Sequence, residues 1–246
     1  MSKFNKDTSF ETFVVGSLPR PEWVKDLIED RKNNLLDTQE AKLLLDQAVP
    51  SAIKMQERAG VDYISDGEWR RESYVKVFSD SVYGFEKNLI PDPTGVSGLG
   101  YPAIVSPMQK IDDIAVSEAT FLKNITKSKT IIAVPAPYTI GRRMWSAEHS
   151  SNAYETSDDF VKACVPIIQQ EIKNLIKVGV NTIQLDEPWL ALLVDPNYRK
   201  RSNISDSQID HEIALSISTI NQVVEDFQEI PFSMHLCHAH YNRQHG

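Results

Sequence analysis

The chain has 246 residues, enough to bury a sizeable core as one large domain or two small ones, which excludes a disulfide-stapled miniprotein or a short peptide. Its 26 Lys and Arg against 34 Asp and Glu leave a net charge of -8, which argues against an electrostatically driven nucleic-acid binder. No apolar run approaches the ~18 residues of a spanning helix, MSKFNKDTSF carries no apolar signal core, and Cys164 and Cys237 stand far apart, so a soluble cytoplasmic protein that binds no membrane is expected.

In chain order, ETFVVGSLP (11–19) reads as a strand until proline stops it. A helix follows from about Thr38 to Ala59, with Pro50 as a potential kink, then Gly60 and the short strand-like VDYISDGE. The Pro- and Gly-rich stretch from Leu89 to Pro107 reads as a long active loop or an excursion, with YPAIVSP (101–107) as a weaker strand. TIIAVPAPYT (130–139) reads as a strand closed by proline. The clearest unit starts at Ser157-Asp158-Asp159, where Phe160, Cys164, Ile167, Ile168, Ile172, Leu175 and Ile176 recur at helical spacing, and Cys164 reads as core. Gly179 ends that helix, and VNTIQLDE (180–187) is a buried strand. A last helix from about Asp206 to Asp226 leads into IPFSMHLC (230–237).

Strands alternating with helices predict an α/β fold with a parallel sheet, either doubly wound or a (β/α)8 barrel. Each strand ends in polar chemistry: Gly16-Ser17, Asp66-Gly67-Glu68, Pro135-Ala136-Pro137, Asp186-Glu187, and His235 with Cys237. Five such ends on one rim favour the TIM-barrel type, and no GxGxxG or Walker-type loop marks the single switch point of a doubly wound sheet.

Ser233, His235 and Cys237 share one strand face, opposite Phe232, Met234 and Leu236, so imidazole and thiolate can meet one Zn²⁺; a buried polar pair explains the same pattern. Glu68, Asp66, Asp186 and Glu187 suit a substrate ammonium or acid–base work, and suit helix capping as well. Ser17 offers a hydroxyl to a carboxylate or serves turn chemistry alone. Trp69, Trp145 and Trp189 follow different strand ends and either stack a flat ring or pack in the core. Arg142-Arg143 and Arg199-Lys200-Arg201 either attract a polyanionic tail or lie on solvated faces.

Together VVGSLPRP (14–21), DYISDGEWRR (62–71), VPAPYTI (134–140), TIQLDEP (182–188) and MHLC (234–237) resemble the cobalamin-independent methionine synthase family, specifically the C-terminal catalytic barrel and its short, single-barrel members. The resemblance implies zinc-dependent transfer of a methyl group from a folate-type donor, 5-methyltetrahydrofolate with its glutamate tail, to the thiol of homocysteine. It assigns Ser17, Glu68 and Asp186 to the amino-acid part of homocysteine, and His235 and Cys237 to two zinc ligands. Trp145 or Trp189 would stack the donor's pterin. Partners are then small molecules, with a homo-oligomer left open.

From the first strand near 12 to the sixth near 230, each βα unit takes roughly 44 residues, so two more units need on the order of 90 beyond residue 246. A single catalytic barrel domain over residues 1–246 is therefore expected with about six units, lacking its last strands, the remaining zinc ligands and the proton donor. Two other functions fit the same residues: a related zinc thiol methyltransferase or a metal-dependent hydrolase using His235, Cys237, His238 and His240, and a non-catalytic remnant.

Overall fold

Two glycines set the rhythm of the fold in the computed structural model, which describes residues 10–91, 100–202 and 204–237. Gly60 (φ +77°) and Gly179 (φ +85°) each close a 22-residue helix in the left-handed conformation and turn the chain into a strand. The elements run α1 (Glu22–Lys32), α2 (Thr38–Ala59), β1 (Tyr63–Ile64), α3 (Lys76–Ser81), β2 (Val82–Ile90), β3 (Tyr101–Lys110), α4 (Val116–Ile125) and β4 (Lys129–Pro135). They continue with α5 (Pro137–Met144), α6 (Ala147–Ser150), α7 (Ser157–Val178), β5 (Thr182–Asp186), α8 (Pro188–Leu192), α9 (Pro196–Ser202), α10 (Asp206–Val224) and β6 (Phe232–His235).

Among the described residues the main sheet is parallel and runs β1-β4-β5-β6. That is the expected α/β fold, with helices crossing between parallel strands. Every residue of β5 is buried, and Ile183 and Leu185 pack with Ile132 and Val134 of β4 into the core shared with Ile168, Ile172 and Leu175 of α7. Capping boxes start α7 at Thr156, one residue before the expected Ser157, and α10 at Ser205. Cys164 is fully buried, and burial pushes its thiol well up. No described helix is long and apolar enough to cross a membrane.

Two expected strands differ. Residues 11–19 form no strand: the Thr12 carbonyl accepts the Asp62 and Tyr63 N–H groups at 3.0 Å and the Leu18 N–H reaches the Gly67 carbonyl, but Gly16 at φ +70° bends the segment between these points and breaks any ladder. Residues 101–107 do lie in a strand, β3, yet it pairs antiparallel with β2 in a separate two-stranded sheet. The count of about six parallel units therefore becomes four parallel strands with an extended segment beside β1, and β2–β3 is the excursion.

Helices α5 and α7 cross in close contact at Gly141, where a Cβ would sit 2.1 Å from Cγ2 of the buried Val161. Gly141→Ala is thus expected to destabilise by about 1–3 kcal/mol despite the helix preference of alanine, because a stiff β-branched neighbour cannot yield. Urea unfolding checks this, and Val161→Ala in the same chain should return part of the loss.

Candidate functional site

The Asp66–Arg71 turn after β1 carries the first carboxylate. Gly67 (φ +73°) and Glu68 (φ +56°) are both left-handed, and a Cβ on Gly67 would stand 3.1 Å from both Ala52 Cβ and Leu18 Cδ1. A non-glycine residue held there costs about 1–3 kcal/mol, so surrounding bonds must fix it. Asp66 Oδ1 accepts the Glu68 N–H at 2.9 Å, which makes Asp66 a turn residue.

The Glu68 side chain caps nothing: 5% exposed, it accepts the Ser17 hydroxyl at 2.7 Å. Burial pushes its carboxyl up, the Arg71 guanidinium pulls it down, and the Asp186 charge adds to the push. Arg71, buried beneath it, donates to Glu118 of α4 through Nε at 2.9 Å and Nη2 at 2.6 Å, and to the Ala133 carbonyl of β4 at 2.9 Å. Its Nη1 stands 3.6 Å from Glu68 Oε1. Burial works against the charge on Arg71, but Glu118 and Glu68 outweigh it, whereas burial pushes Glu118 up to about 7 against the pull of Arg71.

The second half sits at the ends of β5 and β6, where the register sets Gln184 beside Ser233 and Asp186 beside His235 on one face. Asp186 Oδ1 accepts from Gln184 Nε2 at 2.7 Å and lies 3.1 Å from His235 Nδ1. The Asp186 hydrogen bond raises the half-buried His235 above the ordinary histidine range; burial opposes it and the Glu68 charge adds to it. Asp186 therefore spends its side chain on Gln184 and His235, not on capping α8. Glu187 is fully buried on the Thr139 hydroxyl and N–H, and burial raises it to about 8. A small cleft lined by Gly16, Asp66, Glu68, Arg71, Ala133 and Gln184 lies beside the Glu68 carboxylate.

The predicted residues Ser17, Glu68, Asp186 and His235 thus share one end of the sheet, and the half-buried Cys237 follows two residues on. Trp69 lies in the core at 1% exposure. Trp145 packs against the core and donates its indole N–H to the Tyr154 carbonyl at 3.0 Å. Trp189, half-buried after Glu187, has the Arg143 guanidinium 4.6 Å from its ring centroid. Arg142 is engaged by Glu212 and Asp158, which leaves a polyanion little to gain there. Arg20, Arg71 and Gln184, all bonded around the carboxylates, lie within the quoted motifs without being singled out there, and Glu118 lies outside them.

A His235 Nδ1–H donated to Asp186 leaves the Nε2 lone pair for a metal, the carboxylate–histidine arrangement that orients metal-bound imidazoles, and a Cys237 thiolate is a second suitable donor. These two fit zinc as half of a ligand set. Among the described residues no group of three His, Cys, Asp or Glu side chains is placed to hold a metal, and His238 and His240 lie outside the described residues.

The chain is 30% identical to the methionine synthase of Saccharolobus solfataricus over 236 residues, 94% of this chain and 63% of that one, and 29% identical to that of Sulfurisphaera tokodaii, 94% and 62%. It spans less than two thirds of the length of these curated relatives. Among solved structures, the B12-independent methionine synthase from Shewanella sp. W3-18-1 in complex with selenomethionine superposes with a TM-score of 0.69 at 24% identity, over 91% of this chain and 60% of that one. A putative vitamin-B12 independent methionine synthase from Listeria monocytogenes gives 0.68 at 18%, over 92% and 65%. The family described as the catalytic domain of the cobalamin-independent synthases matches residues 10–245, and the chain belongs to that family.

Proposed function

We propose that this domain binds homocysteine and serves the transfer of a methyl group from a folate-type donor to its thiol, giving methionine. One observation carries the reading: Glu68 and Asp186, both buried and neither capping a helix, lie at the same end of the sheet, Glu68 bonded to Ser17 and Asp186 to His235, and the Asp186 charge adds to the upward push on the Glu68 carboxyl. Two carboxylates in such a place suit an ammonium group, which relieves their repulsion and satisfies both. When the ammonium donates to Glu68 it replaces the Ser17 hydroxyl, which is then released to donate to the substrate carboxylate. Held at both ends, the amino acid directs its thiol toward His235 and Cys237. Zinc held by His235 Nε2 and the Cys237 thiolate would supply acidification of the thiol, whose ordinary pKa of about 8.5 keeps it mostly protonated at neutral pH. Trp189, with Arg143 on one face, is the aromatic assigned to the donor's flat ring, while Trp145 serves packing. The whole forms one catalytic domain in the cytoplasm.

Calorimetry tests the amino-acid site. L-methionine is expected to bind the 246-residue chain, whereas 4-(methylthio)butanoate, which lacks only the ammonium, should bind at least tenfold more weakly; equal binding of the two rejects the reading. Ligand counting gives the metal prediction, since zinc sites use three or four protein ligands and the described residues offer two, His235 and Cys237. After dialysis against a mild chelator we expect well under one zinc per chain. One tightly held zinc per chain, lost on Cys237→Ser, would show that other residues complete the site.

A further inference from the structure

Four carbonyls of the Glu68 turn accept donors from outside it. Leu18 donates its N–H to the Gly67 carbonyl at 3.1 Å, Arg31 Nη2 donates to the Arg70 carbonyl at 2.9 Å, and Arg20 Nη2 bridges the Glu68 and Arg71 carbonyls at 2.7 and 2.8 Å. The Glu68 carbonyl also accepts the Arg71 N–H at 3.1 Å. Relaxing Glu68 from φ +56° would rotate its flanking peptide planes and pull that carbonyl off the guanidinium. Arg20 belongs to the same short segment as Ser17, whose hydroxyl meets the Glu68 carboxylate.

We propose that Arg20 is a positioning residue for Glu68: by bridging the Glu68 and Arg71 carbonyls it holds Glu68 in its left-handed conformation and couples the Ser17 segment to that turn. The part played in substrate binding rests on the amino-acid site proposed above. Arg31 is the natural control, because it makes the same kind of bond to the same turn at Arg70, two residues from Glu68.

The test compares Arg20→Met and Arg31→Met in the full chain, by amide hydrogen exchange at Glu68 and Arg71 without ligand and by calorimetry with L-methionine. Arg20→Met is expected to speed both amides and weaken L-methionine by about tenfold or more, with millimolar methylguanidinium restoring part of the affinity, while Arg31→Met does neither. If Arg20→Met does not fold, Arg20→Lys, which keeps one cationic donor, should show smaller changes of the same sign. Unchanged exchange in the Arg20 variant overturns the proposal, and so do equal changes in both variants, which would mean a general structural role. Faster exchange in Arg20→Met, alongside wild-type protein that binds no L-methionine, would uphold the clamp and overturn the amino-acid site it serves.

Discussion

Glu118→Ala is expected to lower the unfolding free energy by about 3–5 kcal/mol in a urea titration, the largest loss predicted for a single side chain here. The variant leaves Arg71, 3% exposed, without the carboxylate that takes two of its donors, and the Ala133 carbonyl together with Glu68, 3.6 Å from Nη1, only partly offsets a buried charge. Arg71→Met should cost a similar amount by stranding Glu118. Replacing both, as Arg71→Met with Glu118→Leu, should recover much of the loss, since well-packed apolar residues often replace a buried pair at little cost. Single-variant losses below about 1 kcal/mol would mean that the pair behaves as an exposed one and that Glu68 rests on other supports.

Glu68→Gln and Asp186→Asn are each expected to weaken L-methionine by about ten- to a hundredfold, the worth of one charge-assisted contact at about 1.5–3 kcal/mol, with a smaller change in stability because the shape and one acceptor oxygen of each side chain are kept. Unchanged affinity in both variants, from a wild type that binds, would reduce the two carboxylates to parts of the scaffold.

What the sequence made legible follows from the range of each interaction. Helix α7, Gly179 and β5 are local, so periodicity and one glycine suffice to place them. Ser17, Glu68, Asp186 and His235 are legible because strand ends share one rim in a parallel sheet, and order along the chain then implies proximity. Strand β2 escaped because Gly84 at φ +114° and Asn88 at φ +62° interrupt its alternation and its register against β3 shifts twice. Residues 11–19 look like a strand for their β-branched content, while their fate depends on Gly16. Arg71 and Glu118 pair across 47 residues and Arg20 and Glu68 across 48, and no local pattern encodes such a partner.

The left-handed backbone at Glu68 sets stability against the proposed function at one position. Glycine reaches φ +56° without the penalty a glutamate carries there, so selection for heat resistance alone would drift position 68 toward glycine. Variants enriched by such selection would be sturdier proteins that had lost the Glu68 carboxylate, and a library of this domain sorted by melting temperature would discard the proposed amino-acid site first.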